Sequence, residues 1–148
     1  MLAAINNLRE VQQRCLNRQP LEPELADWLA QSLQDFLNQR CSSVDVAFGL
    51  SAPQGGVPWW LEEGIRKRNR AIQDLAQRAC PGQTPTAQAR RIRALSLRYA
   101  ATAWRRDQMD DDMPAQYAGG DKELLWHAFK SGAAMPVSER HLRGILAD

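Results

Sequence analysis

Residues 59–106 read WWLEEGIRKRNRAIQDLAQRACPGQTPTAQARRIRALSLRYAATAWRR. In the first half Leu61, Ile65, Ile72, Leu75, Ala76 and Ala79 fall at spacings that gather side chains onto one face of an α-helix. The pair Pro81-Gly82 stops that helix, since a proline lacks the amide donor and a glycine favours turns. Thr84 or Thr86 can cap a second helix, whose inward stripe is Ile92, Leu95, Ser96, Tyr99, Ala100 and Ala103. Two helices over 59–79 and 86–106, joined by so short a connector, predict an antiparallel helical hairpin. Neither here nor elsewhere do apolar and polar residues alternate with the period of two that a strand needs. The chain therefore reads as all-α.

Outward from this hairpin the same pattern recurs. Leu2, Ile5, Leu8, Val11 and Cys15 predict a helix over 2–16. Pro20 and Pro23 frame the next start, with Glu22 at the cap position, and Leu25, Trp28, Leu29, Leu33, Phe36 and Leu37 form one stripe that must pack against something. Ser42 or Ser43 caps a short helix carrying Val44, Ala47 and Phe48 and stopping near Gly49, and SAPQGGVP (51–58) is a loop. After Trp104 the periodicity dissolves into RRDQMDDDMPAQYAGG, a polar connector. Asp121 opens a further helix with Leu124, Leu125, Ala128 and Phe129, and Pro136 and Ser138 introduce a last one with Leu142, Ile145 and Leu146. The expectation is a single-domain bundle of about six or seven helices around a central basic hairpin, with a sub-boundary near 107–121. A chain of 148 residues is long enough to bury roughly two-thirds of its unfolded surface as one domain.

Charge is concentrated where the hairpin lies. Positions 66–106 hold eleven Lys or Arg and one acid, Asp74, whereas 1–65 and 107–148 each hold four bases and eight acids. The overall net charge of +2 thus conceals a basic middle between two acidic segments. Arg outnumbers Lys sixteen to three, which fits either a GC-rich bacterial genome or a need for forked donors that grip phosphate and carboxylate. Arg91, Arg98 and Arg105 are seven residues apart and would align along one helix, and Arg66 and Arg70 are one turn apart on the other. Three readings follow: a phosphate-contacting nucleic-acid surface, neutralisation by the chain's own acids, or docking of an acidic protein. Arg68 falls between Ile65 and Ile72 on the apolar face. A lone buried guanidinium costs too much, so the helix breaks near Gly64, or Arg68 snorkels, or it pairs with an acid from another segment, which is the expected outcome.

Residues 122–146, KELLWHAFKSGAAMPVSERHLRGIL, resemble a DNA-binding helix-turn-helix. Ala128 and Gly132 stand where that motif has its small residue and turn glycine, although the connection from Gly132 to Ser138 exceeds the usual three or four residues. The resemblance implies that the second helix enters the major groove, reaching base edges with Glu139, Arg140, Arg143 and His141.

Other chemistry finds little purchase. Cys15, Cys41 and Cys80 include no C-x-x-C pair and read as small apolar residues at helix ends. Asp110, Asp111 and Asp112 lack the alternating spacing of a calcium loop, and two histidines without a suitably placed third ligand make no zinc site. No phosphate-cradling glycine loop, dinucleotide fingerprint or nucleophile elbow occurs, so neither a cofactor, a metal nor catalysis is expected. Trp59 and Trp60 follow a Gly-Pro-rich loop and are hard to bury together, which offers one as an anchor for a protein partner. No apolar run reaches the roughly 18 residues of a membrane span, and the N-terminus is too polar for a signal-peptide core, so a cytoplasmic location is expected. The reading is of a small nucleic-acid-binding or regulatory protein, with an adaptor for an acidic protein as its alternative and the oligomeric state left open.

Overall fold

The computed structural model describes residues 1–147. It is all-α, with no strand among the described residues, and it divides into two compact units, Met1–Trp59 and the chain from Trp60 onward. The 107–121 connector lies inside the second unit.

The first unit holds α1 (Leu2–Leu16), α2 (Pro23–Leu37) and the single turn α3 (Val44–Ala47). Pro23 occupies the first turn of α2, where its missing N–H is no loss, and Ser43 caps α3 by accepting a hydrogen bond from the amide of Val46 at 3.3 Å. Arg14 ties the turn between α1 and α2 by donating to Glu10, Glu22 and the carbonyl of Pro20. The core is small. Ala4, Ile5, Phe48 and Leu50 are buried, Leu8, Leu29 and Trp59 pack against them, and Trp28 meets Phe48 edge-on at 5.4 Å. The stripe of α2 is only partly used: Leu33, Phe36 and Leu37 remain exposed, as do Val44 and Val46 on α3. A unit with so few core side chains has too little interior to cover the whole stripe.

The second unit contains α4 (Trp59–Ala79, from Trp60), α5 (Pro85–Ala101), α6 (Trp104–Asp107), a 3₁₀ turn (Ala115–Tyr117), α7 (Asp121–Lys130) and α8 (Glu139–Ala147). Thr84 caps α5 through the amide of Ala87 at 3.3 Å, with Pro85 in the first turn. Ile72 and Leu75 from α4, Ala89, Ile92 and Tyr99 from α5, Leu125 and Ala128 from α7, and Leu142 and Ile145 from α8 share one core. α5 packs most extensively on α8. α4 runs unbroken through Gly64 because that residue lies against the 131–134 turn, where an added Cβ would sit 2.6 Å from the carbonyl oxygen of Ser131. Only glycine permits so close a backbone approach.

The fifth helix does not extend to Arg106 as its periodicity predicts. It ends at Ala101, Thr102 leaves helical geometry at φ −117 and ψ −95, and α6 restarts at Trp104. The restart carries Asp107 into the interior, where its carboxylate accepts hydrogen bonds from Tyr99 Oη at 2.9 Å and Tyr117 Oη at 2.8 Å. A straight helix would hold residue 107 two turns beyond Tyr99, out of reach. Trp104 lies against Phe129, with ring centres 5.2 Å apart and planes tilted by 55°, beside Tyr99.

Candidate nucleic-acid interface

Most basic side chains of the second unit fall into two groups. The first is already engaged. Arg66 pairs with Glu62 and Lys67 with Glu63, each one turn back on α4. Arg78 donates to the carbonyl of Gly120 at 2.7 Å and lies 3.8 Å from Glu123, tying the end of α4 to the start of α7. Arg90 reaches Glu139 at 3.9 Å, and Arg93 donates to the carbonyl of Val137 at 3.1 Å. These two residues of α5 secure the entry to α8. Arg106 lies on Asp107. Internal neutralisation, one of the three readings of the basic middle, therefore accounts for part of it.

The second group is open. Arg70, Arg91, Arg98, Arg105, Arg140 and Arg143 are exposed and have no acidic partner among the described residues. Of the positions expected to contact phosphate, only Arg66 is paired, and its partner at i−4 follows the ordinary helical rule for ion pairs. Arg91 and Arg98 lie on one side of α5, but Arg105 sits on α6 beyond the break at Thr102, so the three-arginine row expected along one helix does not form. Arg70 instead borders a cleft of about 560 Å³ between α4 and α7, with Lys67, His127 and Lys130. Arg98 borders another of about 440 Å³ with Asp121 and Lys122, at the start of α7.

Ala128 is buried, Gly132 takes φ +85 at the turn, and Leu142 and Ile145 are buried. Ser138 caps α8 through the amide of His141 at 3.2 Å. Arg140, His141 and Arg143 face outward, whereas Glu139 is half-buried and paired with Arg90. No family model, curated protein or solved structure matches this chain.

Arg68 departs from expectation. It is 6% exposed and no acid pairs with it among the described residues. Its Nη1 donates to the carbonyl of Ala134 at 2.6 Å, while Nε and Nη2 donate to Asn69 Oδ1 at 3.1 and 2.8 Å. Two neutral acceptors take the place of the carboxylate. Burial alone pulls its pKa below the usual guanidinium value.

The tryptophans part company, since successive residues of a helix point in different directions: Trp59 packs into the first unit's core, and Trp60 is 62% exposed. All three cysteines are free, and they differ. Cys80 is buried, which raises its thiol pKa, while Cys15 is exposed rather than serving as apolar filling. Glu123 accepts from the amide of Gly119 at 2.6 Å and faces Arg78. Among the described residues no group of three or more His, Cys, Asp or Glu is placed to hold a metal, and no helix is long and apolar enough to cross a membrane.

Proposed function

We propose that this chain is a nucleic-acid-binding protein without catalytic activity, which grips the phosphate backbone through its second unit and presents α8 to the groove. The observation that supports this reading is the set of six exposed arginines without acidic partners: Arg70, Arg91, Arg98, Arg105, Arg140 and Arg143. Unpaired arginines keep their hydrogen-bonding forks available, and neutralising phosphates releases condensed counterions, which makes binding favourable and salt-dependent. Arg140 and Arg143 carry the outer face of α8, whose entry Arg90 and Arg93 brace from α5.

The test is duplex DNA binding across a salt series. With Arg70, Arg91, Arg98 and Arg105 on phosphates and α8 in the groove, log K should fall against log salt with a slope of about −4. Changing Arg91, Arg98 and Arg105 to Glu should abolish binding, and Arg140→Ala with Arg143→Ala should weaken any sequence preference. No detectable binding at low salt sinks the proposal.

The exposed indole of Trp60 favours a second reading, an adaptor that docks an acidic protein on the same arginines. Under that reading capture of a specific partner survives nuclease treatment and is lost in Trp60→Ala.

A further inference from the structure

Between α4 and α8 lies a cavity of about 690 Å³ with an unusual lining. Arg68 and Asn69 face it from α4, Ser138, Arg140 and His141 from the start of α8, and Ile65 and Ile145 supply apolar walls. No carboxylate lines it. That separates it from the two other clefts, which include Asp74 and Asp111 or Asp121.

The buried guanidinium is the decisive feature. A guanidinium offers five N–H donors. Arg68 commits Nε–H and one N–H on each terminal nitrogen to Asn69 and Ala134, which leaves one N–H on each terminal nitrogen without a protein acceptor. A charge withdrawn from water and given only neutral acceptors is a costly arrangement. An anion in the adjoining cavity would relieve it, because it supplies both the missing counter-charge and acceptors for the remaining donors. Arg140 adds a second fork from the opposite helix, and the His141 ring adds a further polar edge.

We propose that this cavity is an oxyanion site that takes a phosphate group, either free or carried on a larger molecule. Two guanidinium groups from different helices can each offer a fork to phosphate oxygens, and the wide mouth admits a group attached to a longer chain. A bound phosphate would bridge α4 to the helix that carries Arg140 and Arg143. The site stands on Arg68 and the cavity, and does not require the other exposed arginines to bind a duplex.

The probe is inorganic phosphate, titrated into the full chain by calorimetry and by thermal shift, against sodium chloride at equal ionic strength. Phosphate should bind saturably and raise Tm with concentration, as any ligand selective for the folded state does. Arg140→Gln and His141→Gln alter exposed residues and should leave the phosphate-free Tm unchanged. Arg140→Gln should weaken phosphate binding about tenfold, the loss expected for one charge-assisted contact. Lys122→Gln, outside the cavity, should not weaken it. Arg68→Lys, checked for helical content by circular dichroism, should weaken binding as well, because it keeps the charge but loses the fork. Failure of phosphate to do more than chloride, or equal affinity in the wild type and Arg140→Gln, overturns the site. A short DNA duplex separates the two sources. If phosphate binds and the duplex does not, the site stands as one for small phosphorylated molecules while the nucleic-acid reading fails. If the duplex binds but inorganic phosphate neither binds nor competes, the nucleic-acid reading stands and this site falls.

Discussion

The carboxylate of Asp107 has no exposed surface, yet two phenols and a guanidinium hold it in its charged form. Burial pushes its pKa upward, but hydrogen bonds from Tyr117, Tyr99 and Arg106 outweigh that, so the net shift is downward. The two phenols shift the other way. Burial and their bonds to Asp107 raise both of their pKa values. A depressed carboxylate contributes stability above its unfolded pKa of about 3.9, and that contribution disappears as the pH falls through the lower folded value. A raised tyrosine contributes below about pH 10 and loses its share as the pH rises through the folded value. Asp107→Asn should therefore cost about 2–3 kcal/mol near neutral pH, the range for hydrogen bonds to a charged group. The gap between wild type and variant, measured by thermal denaturation, should narrow as the pH drops below about 4. A gap that stays constant into strong acid would show that the ionised form plays no part.

At the scale of elements, helix ends show how local rules operate. α1, α2 and α3 all close in the same way, with the amide two residues past the C-cap returning to the carbonyl five residues earlier: Gln19 to Arg14, Arg40 to Asp35 and Leu50 to Asp45. The closing residue takes a left-handed conformation in each case, at Arg18 (φ 55), Gln39 (φ 56) and Gly49 (φ 70). Only Gly49 adopts it without a Cβ penalty. Gln39→Gly should therefore stabilise the chain by about 1 kcal/mol, read as a higher denaturation midpoint at unchanged slope. Equal or lower stability would mean that glycine's extra freedom in the unfolded chain cancels the relief. Signals of this kind, carried by neighbours in sequence, made most helices legible, and the bounds 2–16 and 59–79 coincide with the structure. The end of α5 was not legible. Ala100 and Ala103 continue the apolar period past Thr102, while the group that breaks the helix, Asp107, acts through Tyr117 ten residues further on. The candidate site divides along the same line. Glu62–Arg66 and Glu63–Lys67 are i,i+4 pairs that the sequence pattern could have exposed. Arg90–Glu139 and the contact of Arg68 with Ala134 join residues far apart in the chain, and no local pattern marks them.

For the whole molecule, the two units differ in how much interior each has. In the second, Ile72, Ala89, Ile92 and Leu142 have no exposed surface and four helices contribute to one core. In the first, the buried cluster is Ala4, Ile5, Phe48 and Leu50, each still 7–8% exposed, while Leu33, Phe36 and Leu37 of α2 face solvent. Apolar burial offsets the entropy of ordering the chain, and a unit of this size with half of its best stripe uncovered has little surplus. Local opening should therefore cost less in the first unit than in the second. Native-state hydrogen exchange should show the amides of α1 and α2 exchanging through low-energy openings, and those of central α4 and α5 only near global unfolding. Uniform protection across both units would contradict this, because it would require the small core to hold its helices as firmly as the large one. The difference also bears on the arginines. Five of the six that are open lie on α5 and later elements, and α5 and α8 are the most extensively packed pair, so Arg91, Arg98, Arg140 and Arg143 are carried on the firmest part of the chain. Rigid carriers lose little freedom when their side chains meet a ligand, so charge reversal at these positions should change binding while leaving the denaturation midpoint nearly unmoved.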